Sequence, residues 1–188
     1  MRVLMIAAPG AGKGTQGARI AAHFHVPHIA TGDILRCHVA RHTAIGRAAQ
    51  RHLEGGGLIP DELMFDALGH ALRDVGGYVL DGLPRTVEQA QRLECLGAEH
   101  GVEPDVALHL RAEDAELTRR LLARGATSGR SDDTAPVIRE RLRHYHLTTA
   151  PLKAWYALRG LLLSVDAMRP ADLVGRDILA ALEERTAV

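Results

Sequence analysis

The side chains best suited to chemistry in this chain gather in a few short segments. The first is Ala8-Pro9-Gly10-Ala11-Gly12-Lys13-Gly14-Thr15-Gln16, directly after the apolar run Val3–Ile6. A glycine-rich turn between a buried strand and a helix lets backbone N–H groups point inward at phosphate oxygens, and the helix start adds the positive end of its dipole. In such a loop Lys13 reaches the β- and γ-phosphates, and Thr15 offers a hydroxyl at or near the metal-bound phosphates. The second segment, Asp81-Gly82-Leu83-Pro84-Arg85, follows the apolar run Tyr78–Leu80. It brings a carboxylate and then an arginine to a strand end, where the first can hold the water shell of Mg²⁺ and the second can clamp a phosphate. The third holds Arg120, Arg124, Arg130, Arg139 and Arg141, with Asp132 and Asp133, around the polar stretch Gly125–Thr134. A solvated, salt-bridged helix face would account for it. So would a set of arginines that closes round a transferring phosphoryl group, a reaction that needs positive charge and positioning. Thr31-Gly32-Asp33-Ile34-Leu35-Arg36 is less distinctive, since Thr31 or Asp33 suits a helix cap and Arg36 a solvated charge.

Elements that could position these groups alternate along the chain. Short apolar runs at Val3–Ala7, Pro27–Ala30, Tyr78–Leu80, Val106–Leu110 and Leu161–Val165 predict strands. Helical patterns lie between them at 14–25, 33–41, 44–53, 61–75, 86–100, 114–124, 135–158 and 171–184. In 61–75, Leu63, Met64, Ala67, Leu68, Ala71, Leu72 and Val75 keep to one stripe behind the start signal Pro60-Asp61. The alternation predicts an α/β fold, a doubly wound five-stranded parallel sheet with its ligand crevice at the C-terminal strand ends. The glycine-punctuated region 31–59 and the stretch Gly125–Thr134 read as excursions over that crevice, which makes them lid candidates.

Composition narrows the class. The chain's 188 residues can build one sizeable core, and with 46% hydrophobic but only 3% aromatic residues, aliphatic packing must dominate it. Lys plus Arg and Asp plus Glu both number 23, so no global basic field argues for nucleic acid. Cys37 and Cys95 stand far apart in no metal or redox spacing, which suggests a reducing, cytoplasmic setting. The first residues pass into a strand pattern rather than a signal peptide, and no segment approaches transmembrane length. The 11 histidines lack an HExxH or Cys/His framework and read as scattered surface residues.

Taken in order, the motifs resemble those of the adenylate kinase family. They are Pro9 to Gln16, Thr31 to Arg36, Gly57-Leu58-Ile59-Pro60-Asp61, Asp81 to Thr86 with Gln89, and Gly129-Arg130-Ser131-Asp132-Asp133. Arg139-Glu140-Arg141-Leu142, Tyr145-His146 and Thr149-Ala150-Pro151-Leu152 complete the set. The resemblance covers nearly the whole chain. It implies a single P-loop kinase domain over 1–188, with an AMP-binding insert at 30–59 and a short ATP-side lid at 122–133. The activity it implies is reversible, Mg²⁺-dependent phosphoryl transfer from ATP to AMP, giving ADP. Pro9, Gly10, Ala11, Gly12, Lys13, Gly14 and Thr15 would hold ATP phosphates, with Arg120 stacked on the base and the backbone near Arg169 touching it. Thr31, Arg36, Gly57, Ile59, Gly82, Arg85, Gln89, Arg130 and Arg141 would bind AMP, Gln89 reading the adenine edge. Lys13, Arg85, Arg124, Arg130 and Arg141 would be the catalytic charges, and Asp81 with Asp33 would hold magnesium through water. The short lid lacks the insertion that binds zinc in some relatives, so no zinc site is expected. Partners would be ATP, AMP and ADP, with no nucleic acid and no membrane, and the chain is expected to be a monomer.

Some positions depart from the family pattern. Ala7 replaces the first glycine of the loop, Gly57 stands where lysine is frequent, Leu83 replaces a phenylalanine, and Ala167 replaces a glycine after Asp166. At Ala7 a Cβ predicts about 1 kcal/mol of strain or a shifted loop if the position needs positive φ, and no cost if it keeps ordinary β geometry. Rival functions are a UMP or CMP kinase, against which Arg85-Thr86 with Gln89 argues, and a nucleotide-binding regulatory protein of weakened activity.

Overall fold

The computed structural model describes residues 1–54, 60–72, 75–128 and 133–186. Parallel strands β1 (Arg2–Ala7), β2 (His28–Ala30), β3 (Tyr78–Asp81), β4 (Val106–Arg111) and β5 (Leu162–Asp166) form one sheet in the order β2-β3-β1-β4-β5. The helices are α1 (Lys13–Phe24), α2 (Thr31–Ala40), α3 (Ala44–Glu54), α4 (Asp61–Leu72), α5 (Val87–His100), α6 (Asp114–Ser128), α7 (Ala135–His144), α8 (Leu152–Ala157) and α9 (Ala171–Thr186).

Why β1 reads as an unbroken apolar run follows from its position at the centre. Its alternate residues serve two cores, because a parallel sheet is covered on both faces. Val3, Met5 and Ala7 face one core with Leu108 and Leu110, closed by Ile20 of α1, Leu117 and Leu121 of α6, Ile138 of α7 and Ile178 of α9. Leu4 and Ile6 face the other with Leu80 and Ala107, closed by Leu68 of α4, Leu93 of α5 and Tyr156 of α8. Register is therefore strongly specified, with Val3 opposite Val79 and Met5 opposite Leu108, since a slip of one residue would exchange the cores.

Three helices depart from expectation. α2 starts at Thr31, so Thr31 and Asp33 lie inside its first turn, and the N-cap position is taken by Ala30. α6 runs on to Ser128, so the first residues of the polar stretch Gly125–Thr134 are helical; 129–132 lie outside the described residues. The expected helix 135–158 is broken by a π-turn at Tyr145–Thr149, where Ala150 N–H donates to Tyr145 O at 2.9 Å. Pro151 follows and has no N–H to continue an α ladder, and the wider turn absorbs the mismatch.

Candidate active site

The loop after β1 folds as its glycines allow. Gly10 and Gly12 have φ of 86° and 96°, left-handed values open to glycine at little cost, and a Cβ on Gly10 would lie 3.0 Å from Leu121 Cγ. Ala7 is different. It lies in β1, paired with Leu110, outside the positive-φ positions. The strain expected of a Cβ there is corrected: the tight turn begins after the strand, so alanine fits. Lys13 opens α1 and folds back, its Nζ donating to Ala7 O at 2.8 Å and Ala8 O at 3.2 Å.

At the end of β3, Asp81 and Arg85 meet this loop. A cavity of about 500 Å³ is lined by Pro9, Gly10, Gly12, Lys13, Gly14 and Thr15 from the loop, Thr31, Gly32 and Asp33 from α2, and Asp81, Gly82, Arg85, Arg120, Arg124 and Arg141. Gly82, at φ 98°, lets the chain turn directly over Thr31, whose Oγ1 a Cβ would strike. Thr31 is 1% exposed and its Oγ1 is buried without a hydrogen-bond partner among the described residues, a polar atom with capacity for a ligand. Arg85 Nε donates to Gly82 O at 2.7 Å, fixing the guanidinium at the cavity edge. Leu83, in place of the usual aromatic, is buried in the core.

Arg124 and Arg141 reach the cavity from α6 and α7, held by Asp133. Its carboxylate is fully buried, accepts from Arg124 Nε and Nη2 at 2.7 and 2.8 Å, and accepts from Arg141 Nη1 at 3.2 Å. One buried anion thus holds two arginines side by side where an incoming phosphate would meet both. The arginine cluster is not a mere solvated helix face, although Arg139 is exposed and lies outside the cavity. Lys13 has its pKa lowered to about 8, first by enclosure of its ammonium; Asp81 opposes the shift, and Arg85, Arg141 and Arg124 add to it. Five cations, Lys13, Arg85, Arg120, Arg124 and Arg141, thus line the cavity together with Asp33 and Asp81.

Two further cavities adjoin the first. One of about 440 Å³ lies between Gly10–Gln16 and the segment after β5, and includes Arg120, Ala167 and Arg169. Arg120 donates to Glu116 Oε1 at 2.7 Å, and Arg169 pairs with Asp177. The other, about 530 Å³, shares Lys13, Asp81, Arg85 and Arg141 and extends to Glu140, His144, Tyr145 and Thr149, none singled out from sequence as site residues. Gln89 does not line these cavities; it lies beside Arg85 in the first turn of α5, its Oε1 accepting the Arg85 N–H at 2.7 Å. Gly57, Ile59 and Arg130 lie outside the described residues, and Arg36 is described only as part of α2.

Asp133 closes the motif Gly129 to Asp133 but is assigned no site role from sequence, and His109, which stands in no motif, is read there as a surface residue. The histidine reading needs correcting: His109 is 6% exposed, on the interior strand β4, with contacts of 3.3 Å to Ser164 Oγ and to Tyr145 OH. Alternation in β4 was the available signal, because a residue between Ala107 and Arg111 on one face must point into a covered layer. Among the described residues no group of three or more His, Cys, Asp or Glu could hold a metal. Asp81, Asp33 and the Thr15 hydroxyl do share the first cavity, and a pair of carboxylates with room for water and phosphate oxygens fits Mg²⁺. No described helix is long and apolar enough to cross a membrane.

Comparison with known proteins agrees with this geometry. A family model described as adenylate kinase matches residues 5–161. An adenylate kinase of Kocuria rhizophila is 47% identical over 187 residues, covering 97% of this chain and 98% of that protein. Those of Phocaeicola vulgatus and Thermobifida fusca are each 40% identical, covering 98% of this chain and 99% and 100% of their own lengths.

Proposed function

The chain belongs to the adenylate kinase family, a phosphotransferase converting ATP and AMP to ADP, and on that premise we propose which of its residues conduct the reaction. The rival readings, a UMP or CMP kinase and a weakened regulatory protein, are not favoured. The assignment of roles rests on one observation: Lys13, Asp81, Arg85 and Arg141 line the same adjoining cavities, so cations for donor and acceptor phosphates face a common space.

ATP enters with its phosphates on the loop Pro9–Thr15, under Lys13, and its base toward Arg120 and the backbone near Arg169. AMP enters beside Thr31 and Gly82, its phosphate on Arg36, Arg85, Arg130 and Arg141, its base toward Gln89, Gly57 and Ile59. An AMP phosphate oxygen attacks the γ-phosphorus in line as the bond from that phosphorus to the β-bridging oxygen breaks. The acceptor is a phosphate that is anionic at neutral pH, so no protein base has to remove a proton. What the residues supply is charge and alignment: Lys13, Arg124 and Arg141 offset the negative charge gathered on the equatorial and leaving oxygens. Asp81 and Asp33 would hold Mg²⁺ through water, and the ion, when bound, screens and aligns the β- and γ-phosphates. Residues 30–59 and 122–133 close over the two nucleotides, excluding water and strengthening each contact. The packing of Gly46 against the His38 backbone supports α2 and α3 moving as a unit. We place the reaction in the cytoplasm, carried out by a monomer.

A coupled assay with Mg²⁺, ATP and a panel of monophosphates tests this. ADP should form with AMP clearly ahead of UMP, CMP and GMP. Equal or faster turnover of UMP would overturn the acceptor assignment, and no turnover with any acceptor would point to a regulatory protein.

A further inference from the structure

The carboxamide of Gln89 is held at both ends. Its Nε2 donates to Asp61 Oδ1 at 2.7 Å, and its Oε1 accepts the Arg85 backbone N–H at 2.7 Å. Gln89 stands at the third position of α5, and its own N–H donates to the Thr86 cap at 3.2 Å, so the residue is fixed locally as well. Asp61, the first residue of α4, comes from another part of the chain. A backbone N–H can only donate and a carboxylate can only accept. Turning the amide over would set Oε1 against the Asp61 carboxylate and the NH₂ against the Arg85 N–H, breaking both bonds at once. The orientation is thus dictated by partners that each play a single role.

Each end keeps capacity for one more bond, a second N–H on Nε2 and a second lone pair on Oε1. A donor beside an acceptor, in that order, matches adenine, whose 6-amino group donates and whose N1 accepts. A 6-oxopurine presents the reverse, O6 accepting and N1–H donating, and would need the amide turned over. Resting on the reading that Gln89 meets the AMP base, we propose that Asp61 is a specificity-determining positioning residue. It locks the Gln89 amide in the orientation that accepts adenine and rejects 6-oxopurine nucleoside monophosphates. Such a lock matters because mismatched hydrogen-bonding groups discriminate far more strongly than small differences in size.

Asp61→Asn and Asp61→Ala, assayed at saturating ATP against AMP, IMP and GMP, test the lock. Losing one charge-assisted bond should lower the ratio of kcat/KM for AMP over IMP by about tenfold or more. The change should come through a higher AMP KM, with kcat and the ATP KM little altered. Gln89→Ala separates the two levels of the argument. If it leaves the AMP KM where it was, Gln89 does not meet the base, and both the reading and the proposal fall. If it raises the AMP KM while both Asp61 variants keep the wild-type AMP to IMP ratio, only the role of Asp61 is overturned. A purely structural Asp61 would lower the melting temperature and shift all three acceptors alike, which also overturns it.

Discussion

At Lys13 two demands compete. The ammonium must be charged to meet phosphate, yet enclosure in the loop, with Arg85, Arg141 and Arg124 nearby, brings its pKa down to about 8 against the partial opposition of Asp81. A bound phosphate sets a further anion beside the ammonium and raises the value again. Above pH 8, therefore, ATP binding should take up a proton, and its affinity should fall by up to about tenfold per pH unit until the bound-state pKa is reached. Calorimetry at pH 8.5 in buffers of different ionisation enthalpy reads that proton directly; an observed enthalpy independent of buffer would mean Lys13 is charged in the empty site. Arg141 both donates to Asp133 and lines the first cavity. Arg141→Ala leaves the bidentate pair between Arg124 and Asp133, so the fold should survive while kcat falls by on the order of a hundredfold. An unchanged kcat with a lower melting temperature would reduce Arg141 to a structural partner. Ala7 makes the reverse case. Since it lies in strand geometry, Ala7→Gly should leave the Kd for ATP unchanged and cost about 0.5–1 kcal/mol of stability through unfolded-chain entropy. A tighter Kd for ATP would revive the strain argument.

Between elements, the tie with the largest effect on the site is Asp133, whose side chain has no exposed surface and holds α6 to α7 through Arg124 and Arg141. Asp133→Ala leaves two arginines facing each other beside Lys13. Chemical denaturation should show a loss on the order of 2 kcal/mol, less than for a fully enclosed pair because the two arginine side chains are 38% and 32% exposed. ATP affinity should fall with it, since the arginines would splay; a stable variant with normal affinity would show that Arg124 and Arg141 are positioned by something else. Asp133 also marks the limit of what is legible in the sequence. Every strand of the sheet and the βα order could be read, because a doubly buried strand is an apolar run and each crossover helix has its own stripe. The loop Pro9–Thr15 and the Asp81 to Arg85 turn were legible because their function is written in local backbone needs, such as positive φ at Gly10, Gly12 and Gly82. Contacts between distant segments leave no such local trace. The bond from Asp61 to Gln89, 28 residues apart, and the burial of His109 depend on which elements become neighbours, and so does the Asp133 clamp, whose partners lie only nine and eight residues away but on two helices. The break at Tyr145–Thr149 is an intermediate case: Pro151 is visible, but whether a helix kinks, stops or widens is decided by packing.

For the whole molecule, formal charge balance at pH 7 leaves little net self-repulsion, so the pH dependence of stability comes from individual groups whose pKa values folding displaces. On the alkaline side, the folded pKa of Lys13 is below its unfolded value, so folding releases a proton and stability rises between about pH 8 and 10.5. Burial of the Tyr78 and Tyr156 phenols pushes their pKa values up, so their contribution is lost as the unfolded chain ionises above pH 10. On the acid side the decisive group is His109. Burial, with Lys153 and Arg111 opposing a further positive charge, lowers its pKa from 6.5 to about 4, while its ring contacts are the neutral Ser164 and Tyr145 hydroxyls. The unfolded chain takes up a proton at about pH 6.5 and the folded chain does not, so stability falls as pH drops from 6.5 to about 4 and levels off below for this group. The displacement is worth ~3 kcal/mol across that window. It precedes the loss from Glu116, held at about 2 by hydrogen bonds from Arg119 and then Arg120, whose contribution fades only below about 4.5. Denaturant unfolding of the wild type and of His109→Gln at pH 7, 5.5 and 4.5 separates these effects. The wild type should lose stability faster than the variant, with the two curves converging by ~2 kcal/mol between pH 7 and 4.5. Parallel curves would mean that His109 protonates in the folded protein at its ordinary pKa, and that β4 tolerates the charge.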